Sequence, residues 1–281
     1  MARDEAVDPL EEVAEEPLGE RLRAARHAAG LSLRQAAQAL SVSPATWSAV
    51  ENGRTGVNPV RLAAAAELFG CTLGQAQPSN PGDVDWRRYE PLHLPPPLAG
   101  ALEAFVEFGY HGATMRIIAE RASLSVPGLY HHYATKQDLL RELHEITMTE
   151  LLWRARSARS EGIGPVERFS RLVECLALYH THRVDLSFIG ASEMRGLNPE
   201  NLARVVRFRH EMQQLVDEEV IDGCRIGMMT TPLPKEAARA VVIMCTGIAR
   251  WWSPRGPFSP EETADHYVAF ALDVVGAKSN G

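Results

Sequence analysis

From residue 18 to the C-terminal region, apolar residues recur at helical spacing, and no stretch of useful length alternates apolar and polar as a strand would. The pattern opens with short segments, which predict helices over 18–29, 33–40, 44–52 and 59–69. Gly30, Gly53 and Gly70 follow three of them, where a left-handed C-cap is wanted. Asn58-Pro59 reads as an N-cap followed by a first-turn proline, whose missing N–H costs nothing there. From residue 98 the rhythm changes. Leu98, Ala101, Leu102 and Phe105 form one stripe ending at Gly109-Tyr110. Ile117, Ile118 and Ala122 follow a cap at Thr114, Ser125 caps another short segment, and Thr135-Lys136-Gln137-Asp138 has the form of a capping box. Longer helices are predicted over 136–159, 165–182, 199–222, 235–252 and 260–275. The fold class is therefore all-α.

Between the two helical blocks, residues 74–97 hold six prolines in 24 positions, ending Pro95-Pro96-Pro97. Such a stretch predicts a semi-extended linker rather than a core element, reaching at most roughly 80 Å. The expected organisation is an acidic disordered arm (1–17), a helix-turn-helix domain (18–76), a Pro-rich linker (77–97), a second helix-turn-helix domain (98–142) and a helical ligand-binding and dimerisation domain (143–277).

Charge alters this picture only through its distribution. The net charge of −7 disfavours nucleic acid, yet the arm alone carries −6 while residues 18–76 carry +3. Hydrophobic residues at 45% and charged residues at 23% fit a globular protein with ample core. Cys71, Cys175, Cys224 and Cys245 lie far apart with no CxxC pair, which suits a reducing, cytoplasmic compartment. No signal-peptide h-region is expected, and the apolar run 240–249 is too short to span a bilayer. His180 and His182 stand at i, i+2 and point to different sides of a helix, so no metal site is expected. No GxSxG, HExxH or P-loop occurs, so neither an enzyme nor a cofactor is expected.

In 31–54, Ala36 and Ala37 are small enough for the next helix to cross closely, and Ser43 caps a helix whose Trp47 and Val50 face inward. Thr46, Ala49 and Asn52 then share the outer face. Leu18-Gly19-x-x-Leu22-Arg23, Val42-Ser43 and Glu51-Asn52-Gly53-Arg54 resemble the lambda-repressor/Cro-type (XRE) helix-turn-helix family over about 18–73. The resemblance implies DNA contacts from Ser43, Thr46, Ser48, Ala49, Asn52 and Arg54. Leu33 stands where that family often has glutamine, which removes a phosphate contact, and the outer face has few base-reading groups. Packing or protein contact is the bland alternative.

Residues 98–140 carry the more specific signal. Phe105-x-x-x-Gly109-Tyr110, Thr114-x-x-x-Ile118-Ala119, Ala122-Ser123-Leu124-Ser125, Leu129-Tyr130-His131-His132-Tyr133 and Lys136-x-x-Leu139-Leu140 are very similar to the DNA-binding domain of the TetR family. The resemblance implies that 126–133 enters the major groove, with Thr114, Arg116, Tyr130, His131 and Lys136 on phosphates and Ser125, Val126, Pro127, Gly128 and Tyr133 at the same surface. Val126-Pro127-Gly128 departs from the family's usual residues, so base readout is not assigned from it.

TetR proteins are dimers with C-terminal sensor domains, and the same layout is implied here. Val241, Cys245, Ile248 and Trp252 repeat at helical spacing, as do Ala264, Tyr267/Val268, Ala271 and Val274/Val275, which predicts a two-helix interface forming a four-helix bundle in a homodimer. Effector-binding residues are expected among Tyr179, Phe188, Met194, Phe208 and Met212, with Leu176, Ile189 and Leu215 beside them and Arg195 or Arg207 available for an anion. Plain core is the competing reading of these side chains. The tail from Ile248 to Glu262 resembles TetR regulators that sense acyl-coenzyme A thioesters. The leading expectation is a repressor released from its double-stranded DNA operator by a small apolar effector of that class. The alternatives are a ligand-independent architectural or protein-binding factor, and a thiol redox sensor built on Cys175, Cys224 or Cys245.

Overall fold

The computed structural model describes residues 18–40, 42, 44–52, 59–70 and 85–278, and the chain divides near residue 73 into two compact units. The expectations for the acidic arm, Ser43, Gly53, Arg54, Asn58 and Cys71 fall outside the described residues.

The first unit comprises α1 (Leu18–Ala28), α2 (Leu33–Ala39), α3 (Pro44–Glu51) and α4 (Pro59–Phe69). Its core gathers Leu22, Ala36, Ala37, Trp47, Val50, Leu62, Ala65 and Phe69. Trp47 and Val50 face inward as the spacing requires. Ser32 and Gln35 close a capping box at the start of α2. Gly19 is required by packing: a Cβ there would lie 2.7 Å from the Val50 carbonyl oxygen. Arg26 holds the otherwise buried Glu51 through two bonds of 2.6 and 2.7 Å, which fixes the end of α3 against α1. Gly30 and Gly70 adopt positive φ, 69° and 61°, after their helices.

The second unit begins with a three-helix head: α5 (Pro96–Gly112), α6 (Met115–Arg121) and α7 (Val126–His132). The long α8 (Lys136–Glu161) leads from it into α9 (Pro165–His182), α10 (Val184–Ser192), α11 (Pro199–Arg225), α12 (Pro234–Thr246) and α13 (Pro260–Val275). Helix α9 is buried nearly all round over 172–181, so it forms the axis that α8, α11, α12 and α13 surround. A separate apolar cluster around Leu98, Phe105, Leu129, Leu139 and Leu143 ties the head to Leu186, Ile189 and Val205.

Three expectations are corrected. The linker does not extend to residue 97. Trp86 is 1% exposed within the core of the helical half, and Pro96–Pro97 begin α5. The reason is tertiary: Arg154 on α8 donates to the Trp86 and Arg88 carbonyls at 2.6 and 3.0 Å, anchoring a turn that Arg88 N closes on the Asp85 carbonyl. The second correction concerns the interface stripe. Val241, Cys245, Ile248, Ala264, Ala271 and Val275 are all buried within the subunit's own core. The apolar side chains left exposed on this side are Ile243, Trp251, Phe258, Phe270 and Val274. Periodicity marked an apolar face, and α9 and α11 rather than a second subunit occupy it. The helix expected over 235–252 also ends early, at Thr246, passing into a 3-10 turn over Gly247–Arg250 before Pro254.

Candidate nucleic-acid interface

The α6–α7 turn is built from local capping. Thr114 Oγ1 accepts from Ile117 N at 3.2 Å, and Ser125 Oγ accepts from Gly128 N at 3.1 Å. Ser123 turns the chain in the left-handed region at φ 54°, and the Leu124 amide returns to the Ala119 carbonyl at 2.8 Å. Gly100 lets α5 lie directly on α6, where a Cβ would sit 2.7 Å from Ala122 N. Leu129 is the α7 side chain that is completely buried. Pro127, Tyr130, His131 and His132 of that short helix are exposed.

This arrangement sorts the predicted contacts. Thr114, Arg116, Ser125, Pro127, Tyr130 and His131 are exposed, and Arg116 makes no ion pair among the described residues. Val126 and Tyr133 pack partly against the head core, and Gly128 is half-buried. Lys136 is used differently. Its Nζ donates to the Tyr110 and Ala113 carbonyls, both at 2.6 Å, and lies 4.4 Å from the Tyr110 ring centroid. Burial lowers its pKa. The ammonium closes the corner after α5, whose last carbonyls lack helical partners.

In the first unit Asn52 is exposed, but its amide donates to the Ser48 carbonyl at 2.7 Å and accepts from Arg23. Ser48, Ala49 and Thr46 are half-buried.

Sequence reasoning missed the joint between head and helical half. Gln137 at the start of α8 donates to Tyr110 Oη at 2.6 Å and to the Gly196 carbonyl, and accepts from Asn198 N at 2.9 Å. Glu193, in the 3-10 turn after α10, accepts from Tyr110 N at 3.1 Å. Up to 83 residues separate these partners, so no local pattern advertises them.

The predicted effector residues are not gathered in one place. Tyr179 and Met212 are buried in the core of the helical half, with Leu176 beside them and Phe208 and Leu215 against its edge. Met194 packs on the head cluster, Ile189 belongs to it, and Phe188 is half-buried. Tyr179 Oη donates to the Thr147 carbonyl at 3.0 Å, so that hydroxyl is already satisfied. Arg195 and Arg207 are exposed. Cys175 and Cys245 are fully buried, and burial pushes their thiols up, Cys245 to about 12, which keeps them as unreactive thiols. Among the described residues no helix is long and apolar enough to cross a membrane.

Comparison with known proteins follows the same division. Residues 98–143 match the family described as bacterial regulatory proteins, tetR family, and 162–275 match the tetracyclin repressor-like C-terminal domain. Residues 17–77 match a helix-turn-helix domain. The transcriptional repressor KstR2 of Mycobacterium tuberculosis is 26% identical over 197 residues, covering 68% of this chain and 94% of that protein. A tetR-family regulatory protein from Rhodococcus RHA1 superposes with a TM-score of 0.62 at 26% identity, over 66% of this chain and 97% of its own. AibR, solved with isovaleryl coenzyme A and operator DNA, shares the fold at a TM-score of 0.58 and 24% identity, covering 62% of this chain and 95% of its own. The chain thus belongs to the TetR family of DNA-binding transcriptional regulators, which are not enzymes, and carries an additional XRE-like helix-turn-helix domain at its N-terminal side.

Proposed function

We propose that this regulator is a repressor that holds its operator as a homodimer and releases it when a small, largely apolar effector of the acyl-coenzyme A class enters the helical half. The carrying observation is the Gln137–Glu193 joint, because it binds the head's Tyr110 directly to the turn and helix that follow α10. A ligand that moves α10 or the start of α11 must move the head, or break these bonds. KstR2 is named a repressor, and AibR is known with both a thioester and DNA, which supports the reading. The exposed Ile243, Phe270 and Val274 supply an apolar face for the second subunit. On DNA, Tyr130, Thr114, His131, Arg116 and the helix starts at Ser125 and Thr114 position the head on phosphates, and Val126–Gly128 approach the bases. The first unit adds affinity and footprint length more than sequence choice, since Asn52 already spends its amide internally.

An operator selected from a random DNA pool tests this by fluorescence anisotropy. Arg116→Ala should weaken binding to all sequences alike and reduce the salt slope by about one. An acyl thioester should lower operator affinity by roughly 5–150-fold, and operator must weaken the thioester equally. Gln137→Ala should keep DNA binding while losing most of that coupling. Thioester binding that leaves operator affinity unchanged in the wild type would refute the switch.

A further inference from the structure

Residues 78–97 lie between the matched family segments and belong to neither helix-turn-helix domain. Within them, 85–94 form a strap laid on α8 and α9. Trp86 Nε1 donates to Glu161 at 2.7 Å, and Arg87 reaches Glu161 and Glu174 at 2.9 and 2.6 Å. Arg154 takes the Trp86 and Arg88 carbonyls, and Arg183 takes the Glu90 carbonyl at 3.1 Å. The Tyr89 ring is clasped between the His182 imidazole, stacked at 4.2 Å, and the Arg154 guanidinium, 3.7 Å from its centroid.

Against these satisfied partners one atom stands out. Tyr89 Oη is withdrawn from solvent and has no hydrogen-bond partner among the described residues. The ring is only partly buried, so its hydroxyl is the inward end. The groups on α8 and α9 near enough to act on it electrostatically include Glu150, Arg154, Cys175 and Tyr179. None of them comes within hydrogen-bond distance of the hydroxyl: Glu150 is turned to Arg154 and Arg183, and Tyr179 Oη donates to Thr147. A buried hydroxyl left unpaired costs about 1–3 kcal/mol, and native proteins rarely leave one without a use.

We propose that the strap is a wall of the effector site and that Tyr89 Oη donates a hydrogen bond to an acceptor oxygen of the bound acyl thioester. This rests on the ligand reading given above and assigns it a residue. Burial holds the phenol protonated well above its ordinary range, so it acts as a donor at any physiological pH. The strap is also the covalent continuation of the N-terminal unit. A ligand seated against Tyr89 therefore acts on the segment that leads to the N-terminal helix-turn-helix unit.

Tyr89→Phe removes the oxygen and keeps the clasped ring. Thermal unfolding of the full chain and calorimetry with isovaleryl and palmitoyl coenzyme A form the test, with Tyr179→Phe as comparator. Without ligand, Tyr89→Phe should be as stable as wild type or more so, whereas Tyr179→Phe should lose stability with its bond to Thr147. The thioester that binds the wild type should bind Tyr89→Phe about tenfold more weakly. Destabilisation of ligand-free Tyr89→Phe would mean that water or protein satisfies the hydroxyl, and would overturn the proposal. Equal thioester affinity for wild type and Tyr89→Phe would overturn the role of Tyr89 while leaving the acyl reading intact. Failure of both thioesters to bind the wild type would overturn the acyl reading, and this proposal with it.

Discussion

Trp86→Ala separates a strap from a linker. In a free linker the indole would be solvated, and its loss would change stability by less than about 0.5 kcal/mol, as at other surface positions. In the structure the indole is 1% exposed, belongs to the core around α9, and donates to Glu161 at 2.7 Å. Truncating a buried tryptophan to alanine costs about 3–5 kcal/mol in transfer and cavity terms. For a unit of this size each kcal/mol shifts the midpoint by roughly 2–4 °C, so a fall on the order of 10 °C is expected. Far-UV circular dichroism of the full chain reads that midpoint. Leu92→Ala, at a side chain 37% exposed, serves as the control and should move it little. Limited proteolysis should also open new cleavage within 85–94 of Trp86→Ala. A midpoint within 1–2 °C of wild type, with no new cleavage, would refute the docking of the strap.

Gly100→Ala should cost about 1–3 kcal/mol in denaturant unfolding and lower operator affinity, because its Cβ would meet Ala122 N at 2.7 Å and the Ile118 carbonyl oxygen at 2.8 Å; unchanged stability would mean the α5–α6 crossing is looser than described. Burial pushes His180 down to about 4 and lowers His144 as well, so the unfolded chain takes up these protons first. Stability is then full above about pH 6.5 and falls as pH drops toward about 4, by on the order of 3 kcal/mol for His180 alone. Denaturant titrations of wild type and His180→Gln should show that slope shrinking in the variant, and equal slopes would refute it. Phe270→Glu places a charge on a side chain 52% exposed and should leave the fold intact while shifting sedimentation from dimer to monomer; a dimer unchanged at micromolar concentration would move the interface elsewhere.

What could be read from the residues alone is what depends on near neighbours. The caps at Ser32, Thr114, Ser125 and Thr135 involve atoms three residues apart, and Gly30 and Gly70 answer to the last turn of their own helices. The same short range explains why α9 and α13 match their expected limits and why Trp47 and Leu129 turn inward. The motif residues of both helix-turn-helix domains are short-range features too, and hence the family was legible. Spacing also identified an apolar face on α12, but it could not say what would cover it. An apolar stripe suits a helix of the same subunit or of another, and only the path of the whole chain, which brings α9 and α11 against it, chose between them. The strap shows the same limit more sharply. Its one proline, Pro91, says nothing of where it docks, and the arginine that makes it part of the helical half lies 68 residues away. Likewise, the family resemblance implied a phosphate contact for Lys136, and tertiary structure closed its ammonium over the carbonyls at the end of α5. Caps, turns and amphipathic stripes are decided over a few residues. Which face meets which, and which polar atom is left waiting for a ligand, is decided by contacts whose entropy cost is met only when the whole domain closes.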